Sequence, residues 1–143
     1  MPTIILPVTN NEVRLRAELG AIGGSELHSY QGIVDTGAQM TGITPKVVEE
    51  LGLESVGVEP VVGIEGRPSL APIYRIVIGI GVFAPPLNAD GDPTGEDVYI
   101  SGSALKVMLL ENWNDITADV LLGMDMLVDF HITMVSGRFI LSN

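Results

Sequence analysis

The chain contains no cysteine. That excludes disulfides, thiol nucleophiles and cysteine-ligated zinc at once. Positive charge is scarce: seven lysines and arginines face eighteen acids, for a formal net charge of −11. Nucleic acid needs basic patches to neutralise phosphate, so this balance argues against it as a partner. Long apolar runs are also missing. The longest, Ile76 to Ala84, falls well short of the ~18 residues a membrane helix requires. No basic segment followed by an apolar stretch marks a secretory leader. Without leader, membrane span or cysteine, a cytoplasmic location and no membrane partner are the expectation. Charged residues make up only 17 % and apolar ones 46 %. Such a chain can bury a substantial core and is not disordered as a whole. Its mean hydropathy of +0.39 is high; a subunit interface would accommodate the surplus, because obligate interfaces resemble a core cut in half.

The 143 residues suit one domain, taken as 1–143. Short β-branched runs recur at Thr3–Leu6, Glu12–Leu19, Ile33–Val34, Val58–Val62, Tyr74–Ile80, Asp97–Ile100, Lys106–Leu110, Asp119–Leu122, Ile132–Val135 and Phe139–Leu141. In the second, apolar Val13, Leu15, Ala17 and Leu19 alternate with charged Glu12, Arg14, Arg16 and Glu18. That is the pattern of a half-buried strand. Many short strands between Gly and Pro turns predict an all-β barrel or sandwich. Two short helices interrupt it. Thr44 to Gly52 has Thr at the N-cap, Pro at the first helical position and Gly past the end. The second helix is expected from about Met124 to Phe130, with Leu127 and Phe130 inward. Ser136-Gly137 reads as a tight turn. Pro85 to Glu96 reads as a surface loop.

Several chemical motifs fail on context. Gly79-Ile80-Gly81-Val82-Phe83-Ala84 fits a dinucleotide fingerprint, but Pro85-Pro86 follows where a helix must open to meet phosphate. Asp90-Gly91-Asp92-Pro93-Thr94-Gly95 starts like a calcium loop, yet its twelfth position is Ser101, not a bidentate Glu. His28 and His131 lack metal-ligand spacing and read as surface or capping residues. No metal or cofactor is expected.

One stretch survives: Gly32-Ile33-Val34-Asp35-Thr36-Gly37-Ala38-Gln39-Met40-Thr41. A carboxylate after an apolar run is penalised by desolvation unless something compensates. Taken alone, Asp35 could simply make an Asx-turn with Thr36 and Gly37. Far downstream, a second apolar run enters a glycine: Asp119-Val120-Leu121-Leu122-Gly123-Met124-Asp125-Met126-Leu127. Together these segments resemble the retroviral-type, or retropepsin-like, aspartic proteases. The closer likeness is to the cellular DNA-damage-inducible, retroviral-like branch. It runs in order over about residues 10–143, and the two motifs are its specific part.

The resemblance implies a single-domain acid-protease barrel acting as a C2 homodimer on a peptide or protein substrate. Each subunit would give one aspartate, and the sequence has only one Asp-Thr-Gly, so symmetry would supply the second Asp35. Two carboxylates about 3 Å apart cannot both ionise and share one proton. The ionised member would take a proton from water, and the other would donate to the amide carbonyl oxygen. The pair would titrate as a unit. By the same resemblance Thr36 would bond across the dimer axis and Gly37 would admit the shared water. A flap is implied at Val61 to Arg67, with Gly63 and Gly66 freeing its tip. Its backbone would hold an extended peptide by strand-like bonds. Ala38 and Ile64 would line pockets, and Glu65 would disfavour acidic peptides. Asp125 would give structural support, as a helix cap or a main-chain acceptor. Many viral members carry arginine where this chain has Met124, so their interface ion-pair network is absent or replaced. In the family the termini pair across the dimer, and Thr3–Leu6 with Phe139–Leu141 are apolar enough to do so. Since fold does not fix activity, a silent or highly selective peptide-binding module on the same fold is the alternative. A small barrel using Asp35 only as a turn residue is the weaker rival.

Overall fold

The computed structural model describes residues 3–62, 66, 68–81, 89–90, 99–100, 104–111 and 117–142. In chain order its elements are β1 (Thr3–Thr9), β2 (Glu12–Ala21), β3 (His28–Val34), β4 (Gly42–Ile43), α1 (Pro45–Leu51), β5 (Gly57–Val62), β6 (Pro68–Gly81), β7 (Tyr99–Ile100), β8 (Ala104–Leu109), β9 (Val120–Leu122), α2 (Met124–Leu127), β10 (His131–Val135) and β11 (Arg138–Ser142). The chain is mainly β, as the run pattern predicts. No helix among the described residues is long and apolar enough to cross a membrane.

The strands follow the order β10-β11-β1-β2-β3-β9-β4-β8-β6-β5, and β2 also pairs β6. That extra pairing closes a ring through β2, β3, β9, β4, β8 and β6. Its long seam is β2, whose residues Arg16 to Leu19 bond β3 on one side and β6 on the other. Alternation along β2 points Val13, Leu15, Ala17 and Leu19 inward, where all four are buried. Ile76, Ile78 and Ile80 of β6 and Val120 and Leu122 of β9 meet them in one core.

Two appendages leave the ring. β5 and the first half of β6 form a hairpin, from Gly57↔Ile73 to Val62↔Pro68. β1, β11 and β10 form a three-stranded arm. Ile4, Leu6, Phe139 and Leu141 dock the arm onto the common core. Each such burial contributes about 1.5–3 kcal/mol, which is why the arm packs down instead of hanging free. The turn that joins β1 to β2 and the turn that joins β10 to β11 each place two residues in the left-handed region, Asn10 and Asn11 (φ 53° and 60°) and Ser136 and Gly137 (φ 49° and 74°). Such turns match the natural twist of their strands.

Three expectations change. The termini pair within the chain: Thr3↔Ser142 through Pro7↔Arg138. β11 therefore lies between two strands of its own subunit, because the Ser136-Gly137 turn folds β10 against its other side. The second helix stops at Leu127; Leu127 is buried, and Phe130 packs partly buried against the core from the turn beyond. α1 begins after Thr44 and ends at Gly52 (φ 62°) as read, but the Thr44 hydroxyl makes no cap bond. It donates instead to Asp119 Oδ1 at 2.8 Å. That charge-assisted bond fixes the side chain's direction toward Asp119.

Candidate active site

The apolar run Ile33-Val34 extends β3 until the chain reaches Asp35. β9 lies parallel to it, with Ile33↔Leu121 and Val34↔Leu122 in register. The Asp35 amide donates to Leu122 O at 2.9 Å, which continues the ladder by one bond. There the chain turns: Gly37 N–H donates to Asp35 Oδ1 (2.9 Å) and Ala38 N–H to Asp35 O (3.2 Å). So Asp35 does make the local turn, but its carboxyl is only half buried and stands at the end of a buried strand. A Cβ on residue 37 would come within 3.2 Å of Asp35 Oδ1, so glycine keeps that oxygen uncrowded. Thr36 and Gly37 are exposed.

The turn is clamped from the second motif. Met124 N–H donates to Ala38 O (2.7 Å) and Asp125 N–H to Gln39 O (3.3 Å). The Asp125 carboxylate accepts Thr41 N–H at 3.0 and 2.9 Å and the Thr41 hydroxyl at 2.7 Å. It also accepts Met126 N–H at 2.9 Å. Thr41 is fully buried, and its hydroxyl oxygen accepts Gly123 N–H at 3.2 Å. Thus the segments at 35–41 and 123–126 are tied by five backbone or hydroxyl donors, far apart in sequence but fixed in space. Gly123 allows the crossing. Its φ of −95° suits any residue, but a Cβ would lie 2.8–2.9 Å from Met40 C and O and Ala38 O.

Beside the carboxyl lies a second, small apolar cluster. Ile33, Ala118 and Leu121 are buried there, with Ala38 and Leu110 packed against them. It occupies the face of β3 and β9 opposite the main core, since their in-register neighbours Val34 and Leu122 pack into that core. Leu110 also fills the space over Gly42, where a Cβ would meet its Cγ at 2.6 Å. Ile33, Leu110, Ala118 and Leu121 were not singled out from sequence. The signal was present: Val120-Leu121-Leu122 is apolar at every position, which marks a strand covered on both faces.

Of the expected site residues, the structure brings Asp35, Thr36, Gly37, Ala38 and Asp125 together. Gly66 is described, exposed and at φ 72°, between the ends of β5 and β6. Gly63, Ile64, Glu65 and Arg67 of the expected flap lie outside the described residues, as does most of Pro85 to Glu96. His28 sits 3.9 Å from Glu26, and His131 is exposed on β10. Among the described residues no group of three or more His, Asp and Glu is arranged to hold a metal ion. Two surface depressions of about 250 and 290 Å³ are lined by residues around Arg14 and around Glu50, and neither includes Asp35.

A more distant polar group braces α1 against β3. The phenol of buried Tyr30 donates to Glu50 Oε2 at 2.7 Å. Burial, and after it Glu50 and Asp119, hold that phenol well above the usual tyrosine range.

Comparison with known proteins places the fold. No family model and no curated protein sequence matches the chain. Among solved structures, a retropepsin-like aspartic protease from Rickettsia conorii superposes with a TM-score of 0.58 at 17 % identity, covering 97 % of this chain and 89 % of that one. The retroviral protease-like domain of Ddi1 from Leishmania major aligns with a TM-score of 0.41 at 21 % identity, over 83 % and 78 %. The chain has the retropepsin-like fold.

Proposed function

We propose that this chain is an aspartic endopeptidase whose active unit is a homodimer. The observation that carries the reading is Asp35: one half-buried carboxyl at the end of a buried strand, on a turn clamped by a second segment. The retropepsin-like fold supports it. In this reading two Asp35 carboxyls face each other across a twofold axis and share one proton. The ionised one takes a proton from water, whose oxygen attacks the scissile carbonyl carbon. The protonated one gives its proton to the carbonyl oxygen, and a tetrahedral diol results. Collapse re-forms the carbonyl, breaks the C–N bond and returns a proton to the leaving amine. Thr36 fixes the two turns relative to each other, and Gly37 leaves room for the water. Asp125 supports the turn without touching substrate. Ala38 and the apolar cluster beside it receive substrate side chains. Gly63, Ile64, Glu65 and Gly66 cover the bound peptide.

The test is cleavage of a peptide library between about pH 3 and 7 by wild type and Asp35→Asn, with sedimentation to read the subunit count. Wild type is expected to cleave as a dimer and Asp35→Asn to be inactive with its fold intact. Unchanged cleavage by the variant ends the assignment. A well-formed dimer that cleaves nothing supports the peptide-binding alternative.

A further inference from the structure

We infer that Arg14 is a positioning residue for substrate selection: it holds the segment entering β9, so that Ala118 stays fixed as a wall of the apolar patch beside Asp35. This rests on the endopeptidase reading and adds to it a residue that lies outside both sequence motifs.

Arg14 stands on β2 in register with Ile33 of β3. Cross-strand partners share a face of the sheet. The neighbours Val13 and Leu15 are buried in the main core. Arg14 therefore points to the other face, the one that carries Ile33, Ala118 and Leu121. There its Nη1 donates to the Thr117 hydroxyl at 2.7 Å. Its Nε and Nη2 donate to Glu12 Oε2 at 3.3 and 3.2 Å. Glu12 lies two residues back on the same strand, and so on the same face, where it steadies the guanidinium.

Thr117 is exposed, and the chain runs from it into β9. The next residue, Ala118, is 1 % exposed and belongs to the apolar patch. The residue after that is tied by main chain: Asp119 N–H donates to Gln31 O at 3.0 Å, and Asp119 O accepts Thr44 N–H at 3.0 Å. Ala118 is thus held from both sides. Backbone bonds fix it on the β9 side. On the other side Arg14 reaches across from β2 with a side-chain bond.

The two anchors differ in what depends on them. Backbone bonds to buried strands belong to the fold itself. A bond between an arginine and an exposed threonine does not, and exposed ion pairs such as Arg14 with Glu12 add little to stability. What the tether fixes is the place of one small side chain. Ile33 and Leu121 are each 9 % exposed, so with Ala118 in place the patch is shallow and suits an aliphatic side chain. With the tether cut, Ala118 is free to draw back, and the patch admits an aromatic ring. A change of about one methylene in an apolar pocket shifts selection by ~10–200-fold.

The test compares kcat/KM for two peptides that differ only in Leu or Phe beside the cleaved bond. Wild type is expected to favour Leu. Arg14→Met keeps the apolar stem and loses every donor, and Thr117→Val keeps the shape and loses the acceptor. Each should move the Leu-to-Phe ratio about tenfold toward Phe. The double variant should move it no further than either alone. Glu12→Gln should leave the ratio as it is, since its amide oxygen still accepts from Arg14. Urea midpoints of all these variants should stay close to that of wild type. If Arg14→Met lowers both peptides alike, with the ratio unchanged, the residue is merely structural and the inference falls. If Arg14→Met shifts the ratio and Thr117→Val does not, the guanidinium acts without the tether, and the inference falls again. Should Arg14→Met fail to fold, Thr117→Val decides alone, and an unshifted ratio overturns the inference. In each of these cases wild type still cleaves, so the endopeptidase reading stands. If wild type cleaves no peptide at all, both fall together.

Discussion

Replacing Asp125 by alanine should destabilise the protein severely, although the residue is itself only half buried. Its carboxylate holds Thr41 N–H at 2.9–3.0 Å, the Thr41 hydroxyl at 2.7 Å and Met126 N–H at 2.9 Å. Alanine releases all three. Met126 N–H keeps a partner, Gly123 O at 3.2 Å. The two Thr41 donors do not, and Thr41 is fully buried. An unsatisfied buried donor costs about 1–3 kcal/mol. Two give roughly 2–6 kcal/mol, and water entering beside the half-buried Asp125 trims this to about 3 kcal/mol. That is a large share of a total stability of ~5–15 kcal/mol. Asp125→Asn retains one acceptor oxygen for Thr41 N–H and should cost about half as much. The assay is urea unfolding at fixed protein concentration, read as the midpoint at unchanged slope. Thr41→Val completes a double-mutant cycle. Its coupling with Asp125→Ala should lie at about 1–2 kcal/mol. A loss below ~1 kcal/mol for Asp125→Ala, or no coupling with Thr41, refutes the clamp as described.

Two further outcomes test other parts of the structure. Gly123→Ala should cost about 3 kcal/mol or more, because the new methyl meets backbone rather than a yielding side chain; a variant as stable as wild type in thermal unfolding refutes the crossing geometry. Tyr30 titrates higher in the folded state than its ordinary value near 10. The folded chain therefore holds this proton where the unfolded chain has lost it. Stability from this group is complete below about pH 10 and declines as pH rises further. Unfolding measured from pH 8 to 11 should show a steeper alkaline fall for wild type than for Tyr30→Phe; parallel curves count against the buried phenol.

Much of this was written in local pattern. The alternation at Glu12 to Leu19 specified β2 and its buried face, because one face of the seam strand meets only core. Pro45 and Gly52 bracketed α1, since one fits only a first turn and the other a left-handed end. Asp35-Thr36-Gly37 and Leu122-Gly123-Met124-Asp125 stood out as a bend after an apolar run, twice. What stayed hidden was pairing between distant residues. Nothing local says that Asp119 claims the Thr44 hydroxyl, or that Asp125 reaches back to Thr41. β6 was read from Tyr74, yet it begins at Pro68. Pro68 and Pro72 are unusual residues for a paired strand. They are tolerated because β8 pairs β6 only from Ile73 onward, so one side of the strand is open where the prolines lie. The termini were expected to reach another subunit. Their apolar sequence fits pairing in either place, and the Ser136-Gly137 turn decides it by turning β10 back onto β11.

The pairing of β1 with β11 also orders events in time. It joins residues separated by nearly the whole length of the chain, as in Thr3↔Ser142. Contacts that close so large a loop give no return until late, and folds dominated by them form slowly. The hairpins can zip early, but the arm cannot complete until its first strand captures its last. Until then β11 keeps one edge unpaired, because β10 covers only its other side. Unpaired strand edges are where incompletely folded chains stick to one another.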